Sequence, residues 1–259
     1  MLVIRESQWN AFRRQADEAL AKQLEPHFQR HHGAHCRWLG PQDLRLALVS
    51  GVQRARQRGF ESPRDACLYI NLQFMLGSHF DDDQQLPWAV ELTTSNDPAP
   101  ARIDRLYDAA MSYLDRIAGP DNQALVKALL RVQAYAPRDV LSFAEDAFPD
   151  HMAALLGALY PEKAHELGTH GMHALVLRGR ERAQAHGMAD RLGVAVCAGL
   201  IFMLGTGFDD DPLHPWAKRI LAAADDGRPQ RLHEQAISFL RQVGLAADAD
   251  EGAADVHSL

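Results

Sequence analysis

Cysteine is scarce in this chain of 259 residues, with only Cys36, Cys67 and Cys197. So small and odd a set builds no disulfide framework and suits a reducing compartment. No run of about 18 apolar residues occurs, so no segment reads as a membrane-spanning helix. The stretch Gly193 to Met203 is too short for that. The opening Met1-Leu2-Val3-Ile4-Arg5-Glu6 turns polar at once. No basic segment precedes a long apolar one, so a secretory leader is not expected and the expected location is cytoplasmic. Basic charge is also in deficit. There are 27 Lys and Arg against 34 Asp and Glu, a net charge of −7, which leaves no footprint for nucleic acid or an anionic membrane. Strand signals are nearly missing, because β-branched residues are sparse and no segment alternates for long. The catalytic signatures are missing too: no nucleophile elbow, CxxC pair, P-loop or dinucleotide-binding glycine fingerprint is present.

What the chain does have is a repeat. Phe74-Met75-Leu76-Gly77-Ser78-His79-Phe80-Asp81-Asp82-Asp83 runs on to Pro87-Trp88-Ala89. It returns as Phe202-Met203-Leu204-Gly205-Thr206-Gly207-Phe208-Asp209-Asp210-Asp211, running on to Pro215-Trp216-Ala217. The offset is 128 residues, and 11 of the 16 positions are identical. Identity this dense at a fixed offset implies a duplicated structural unit. The pattern Gly51-x-x-Arg54-Ala55-x-x-x-Gly59 recurs as Gly179-x-x-Arg182-Ala183-x-x-x-Gly187 at the same offset.

Helical periodicity fills most of the rest. Residues 5–30 carry apolar positions at helical spacing, with Pro26 bending or ending the run. His27 to Gly40 reads as a connector. Pro41 opens a second helix that stops at Gly59. Ser62 caps a third helix that is apolar nearly all round and therefore central. Pro87 starts a short fourth helix, and Ala101 to Ile117 makes a fifth. The second half repeats this order. Pro137 to Tyr160 stands for the first helix and His170 to His186 for the second. Asp190 caps the central helix Arg191 to Leu204, and Pro215 to Ala224 matches the short helix. The expected fold is all-α, with two tandem pseudo-symmetric halves of about five helices each. Residues 1–117 form one repeat and 137–243 the other. Residues 118–136 join them through a linking helix at Asp121 to Ala134, and 244–259 form a disordered acidic tail.

Three adjacent carboxylates, twice, are candidate ligands for Mg²⁺ or Ca²⁺. The spacing is not that of an EF-hand loop, nor that of two Asp groups on one helical face. The structural reading makes Asp81, Asp82, Asp83, Asp209, Asp210 and Asp211 parts of tight interhelical turns that satisfy free amides. A partner-facing acidic patch is a third reading. Arg54 and Arg182 recur at matched positions and can pair with the acidic turn of their own half. Trp88 and Trp216 are expected to be equivalent, buried anchors. His27, His31, His32, His35 and Cys36 cluster near the first connector, with His165, His170 and His173 at the matching place. Zinc accepts such ligands, but the spacing fits no familiar zinc pattern. Cys67 and Cys197 lie on the apolar helices and read as core.

The motif Tyr69-x-x-Leu72-x-Phe74-Met75-Leu76-Gly77-x-x-Phe80-Asp81-Asp82-Asp83 with Leu86-Pro87-Trp88-Ala89, and the opening Met1 to Gln8, resemble a family of helical accessory proteins of Gram-negative bacteria. These are encoded beside the spike and toxic-effector genes of type VI secretion systems. In those relatives the motif usually occurs once in a shorter chain. The resemblance implies a cytoplasmic accessory role in effector handling and supplies no catalytic residue and no cofactor. The expectation is therefore a non-enzymatic adaptor or chaperone whose partner is a toxin effector or spike protein. The alternatives are an immunity protein that blocks a toxin and a metal-dependent enzyme using the Asp runs.

Overall fold

The computed structural model describes residues 6–244, and among these there are helices and no strands. Five helices make the first half: α1 (Glu6–His31), α2 (Gly33–Gln57), α3 (Pro63–Leu76), α4 (Pro87–Thr94) and α5 (Ala99–Ala118). A 3₁₀ turn at Pro120–Asn122 leads into α6 (Gln123–Ala134), the linking helix. A second 3₁₀ turn at Pro137–Ser142 precedes α7 (Phe148–Leu159), α8 (Pro161–Ala185), α9 (Arg191–Leu204), α10 (Pro215–Leu221) and α11 (Arg228–Phe239). A π turn, Leu240–Gly244, follows α11. The acidic tail expected beyond Gly244 lies outside the described residues.

The central helices start where their caps predict. The Ser62 hydroxyl accepts from the Asp65 amide at 3.0 Å, and the Asp190 carboxylate accepts from the Gly193 amide at 2.7 Å. Each thus satisfies one of the amides that a helix start leaves without an intrahelical partner. Ten of the fourteen residues of α9 are buried, so this helix is wrapped by others on nearly every side. It packs against α8, α11, α7 and the Pro137–Ser142 turn. Its counterpart α3 packs against α2 and α5. The main hydrophobic core is continuous through both halves, from Ala55 and Tyr69 to Phe202 and Leu240. A smaller cluster around Phe28, Leu48 and Ile70 fills the space between α1, α2 and α3, and takes in Leu213 from the second half.

The chain departs from expectation at three places. Pro26 neither ends nor interrupts α1, which continues to His31. The proline is exposed, while Ala21, Leu24 and Phe28 on the opposite face are buried, so packing on both sides of the proline holds the helix together. The supposed connector from His27 to Gly40 is almost wholly helical. It breaks at His32, between α1 and α2, and again at Gly40, whose φ of 72° and ψ of 168° suit glycine alone. The same break recurs 128 residues later at Gly168, with φ 64° and ψ 172°. In the second half, Pro137 to Tyr160 is not one helix. Pro149 sits at the first turn of α7, where a proline lacks only an amide that would go unused.

Candidate functional site

The two repeated corners meet in the middle of the molecule. Each begins where a glycine ends a central helix, with φ of 94° at Gly77 and 100° at Gly205. Besides the positive φ, space forbids a side chain: a Cβ on Gly77 would stand 2.6 Å from the Leu204 carbonyl oxygen. Just past each glycine is a hydroxyl residue, and each reaches the third Asp of the other half. The Ser78 amide and hydroxyl donate to the two oxygens of Asp211 at 2.8 and 2.5 Å. The Thr206 amide and hydroxyl donate to the two oxygens of Asp83 at 2.8 and 2.6 Å. The result is a reciprocal clasp between positions 123 and 133 residues apart. Beside it, the His79 ring occupies the space that a side chain at Gly207 would need, with its Cδ2 and Cγ 2.4 Å from where a Cβ would lie. That packing accounts for one difference between the two copies of the motif.

The same carboxylates also fold their own turns. Asp83 accepts from the Gln85 amide at 2.9 Å and from its side-chain amide at 3.2 Å. Asp211 accepts from the Leu213 amide at 2.8 Å. Burial alone would push the Asp211 carboxyl up, but His214 and the two bonds from Ser78 hold it down at about 2.

The first Asp of each triplet pins helix two of its own half. Asp81 is fully buried and accepts from Arg54 Nε at 2.9 Å, Arg58 Nε at 2.5 Å and the Tyr69 hydroxyl at 2.6 Å. Burial opposes the charge of Arg54, yet the Asp81 carboxylate holds its guanidinium more firmly protonated than usual. Burial and the same carboxylate push the Tyr69 phenol up. In the second half, Asp209 takes Arg182 at 3.1 Å and His186 Nε2 at 2.8 Å. His186 and Cys197 stand at the positions of Arg58 and Tyr69, so this corner has fewer donors. The middle residues are exposed: Asp82 pairs with Arg54 and Arg58, and Asp210 with Lys218 at 2.6 Å.

The expected pairing of Arg54 and Arg182 with their own acidic turns is present. Arg58, Tyr69, His186, Ser78 and Thr206 belong to the same network, although no local motif marks them as partners. The recurrence of a hydroxyl at 78 and 206 was the available signal. The tryptophans are not equally buried. Trp216 is 6% exposed, whereas Trp88 is half-buried against Tyr113, which corrects the expectation of two buried anchors. The physical difference lies beside them, where His214 stacks edge-on between Trp216 and Phe239, while the first half has Leu86 at that position.

His165 and His170 are exposed, while the histidines of the first cluster are absorbed into packing and hydrogen bonds. His27 and His32 both bond Asn71, at 3.2 and 2.9 Å. His35 lies against Phe74, Phe239 and His214, and its Nε2 bonds the Leu213 carbonyl at 3.2 Å. Withdrawal from water and the neighbouring His214 pull His35 down to about 3. Cys36 donates to the Phe28 carbonyl at 3.3 Å, and burial pushes the Cys36 and Cys67 thiols up to about 11. On the outer face, His173 bridges the Thr169 carbonyl and Asp150. Among the described residues, no group of three His, Cys, Asp or Glu side chains is placed to hold a metal ion. None of the described helices is long and apolar enough to cross a membrane. No protein-family model matches the chain, and neither a curated protein nor a solved structure matches it significantly.

Proposed function

We propose that this protein is a non-enzymatic protein-binding protein, an adaptor or chaperone that holds a type VI secretion effector or spike component. The observation that carries this reading is the first half of α1. Every described side chain from Gln8 to Ala16 is exposed, including Trp9 at 50% and Phe12 at 60%. The Arg13 guanidinium lies 5.4 Å from the Trp9 ring centre. A helical arm that carries two large aromatics into water suits docking into a groove on another protein. The repeated carboxylates, by contrast, are engaged inside the molecule, Asp83 and Asp211 between the halves and the others within their own half, and the family resemblance of the motif points to effector handling.

The test is co-expression with the products of the neighbouring genes, followed by affinity capture. The wild-type chain is expected to retain an effector or spike protein, and Trp9→Ala with Phe12→Ala to release it while leaving the melting temperature unchanged. Recovery of neither partner by the wild type would sink the proposal. The net charge of −7 favours a second reading, an immunity protein facing a basic toxin. Gene deletion separates the two. Loss of effector delivery indicates the adaptor, and self-intoxication cured by removing the toxin indicates immunity.

A further inference from the structure

A cavity of about 230 Å³ lies between the two halves, next to the clasp. It exceeds the roughly 150 Å³ of an apolar cavity that admits benzene. Its walls come from both copies of the repeat: Leu76 and Leu204, Leu114 and Leu240, Ile117 and Val243. Into this apolar space come a few polar groups with unused capacity. Lys163 lines the cavity with its ammonium 5.5 Å from the Phe202 ring centre, and it has no hydrogen-bond or ion-pair partner among the described residues. The nearest cavity carboxylate, Asp83, cannot serve it fully, because the two Thr206 donors and the two Gln85 donors already fill its oxygens. The Gln85 side-chain oxygen is buried without a donor, and Gln85 is among the residues that line the cavity. Tyr113 lines the same space, and its hydroxyl has no hydrogen-bond partner among the described residues. Withdrawal from water pulls the Lys163 ammonium down to about 8, against the attraction of Asp83.

An ammonium at an apolar wall with three free donors calls for an anion that brings its own apolar body. Inorganic anions do not satisfy the leucine-rich walls, and neutral apolar molecules leave the charge unmatched. We propose that the cavity binds a small monocarboxylate with an aryl or short alkyl body, its carboxylate on Lys163 and its body between the two repeats. Lys163 stands 128 residues after His35, which lines the same cavity. The duplicated position has thus taken two chemistries, a neutral imidazole in one half and a cation in the other. A ligand seated there touches both halves and stabilises their association.

The experiment titrates benzoate, hexanoate and the neutral benzyl alcohol into the full chain, followed by ligand-detected NMR and melting temperature. Wild-type protein is expected to bind benzoate or hexanoate and to melt higher with it. Lys163→Met, which keeps the length of the side chain, is expected to lose about tenfold or more in carboxylate affinity and to keep its affinity for benzyl alcohol. Ala118→Leu, which fills the cavity from the end of α5, is expected to abolish both. Circular dichroism checks each fold, and Lys163→Gln replaces the Met variant if that one fails to fold. No binding of either carboxylate by the wild type at millimolar concentration overturns the proposal. Equal carboxylate affinity in the wild type and the Lys163 variant overturns it as well.

Discussion

Thr206 donates both its amide and its hydroxyl to Asp83, which lies 123 residues earlier in the chain. Ser78 does the same to Asp211. Two copies of one repeated sequence element have therefore become each other's partners. A carboxylate is suited to this because its two oxygens can take several donors at once, here backbone and side chain together. The glycines before them let the backbones approach closely enough for the clasp to close.

The clasp is measurable by removing one donor at a time. Ser78→Ala deletes a bond to a buried carboxylate, and Thr206→Val does the same while keeping the side-chain shape. Each is expected to cost about 1.5–3 kcal/mol, the range for hydrogen bonds to charged groups. Urea unfolding of both single variants and of the double variant checks this. Losses near zero would mean that the paired amide donors alone hold the halves together.

The arginine network predicts that Arg54 and Arg58 back each other up on Asp81. Asp81 keeps Arg58 and Tyr69 when Arg54 is truncated, so Arg54→Ala is expected to cost less than the double change with Arg58→Ala. The double change leaves a fully buried carboxylate with one neutral donor, which costs about 3–5 kcal/mol. The two singles are expected to sum to less than the double, because either arginine partly covers for the other. Additive losses in a thermodynamic cycle would refute the sharing of Asp81.

Much of this was readable in the residues. The repeat, the capped central helices and the matched arginines all follow from local rules: spacing, cap chemistry and the need of a half-buried guanidinium for a carboxylate. The clasp was not readable, since nothing in the neighbourhood of Asp83 names a residue more than a hundred positions away. Its only trace is the hydroxyl kept at both 78 and 206. His27 to Gly40 looked like a connector because histidine and glycine are weak helix formers. The rings of His32 and His35 pack on Phe74, and that tertiary packing overrides the local preference. Lys163 carries no motif at all. It is notable only because the fold brings it to the cavity that His35 also lines.

Unequal burial of the tryptophans gives a second measurable asymmetry. Trp216→Ala empties a core site, for which about 3–5 kcal/mol is expected. Trp88→Ala removes a half-buried ring and is expected to cost clearly less. Thermal melts of the two single variants decide the order. A larger loss at Trp88 would contradict the difference in packing.

Acid sensitivity follows from His35. Its folded-state pKa of about 3 lies below the ordinary value of 6.5, so the unfolded chain binds a proton more readily than the folded one between those values. Stability contributed by the neutral imidazole is fully present above pH 6.5 and falls as the pH drops toward 3, by about 1.4 kcal/mol per pH unit. Burial and His214 cause the shift. His32, lowered mainly by burial, acts in the same direction. Asp211, held at about 2, adds its own loss only below its ordinary range near pH 4. Denaturant midpoints are therefore expected to stay level from pH 7.5 to 6.5 in the wild type and to fall as the pH drops below 6.5. His35→Gln, which keeps a donor for the Leu213 carbonyl, is expected to be less stable at pH 7.5 and to lose much less on acidification. Parallel pH curves for the two proteins would show that His35 is not the group that takes up the proton.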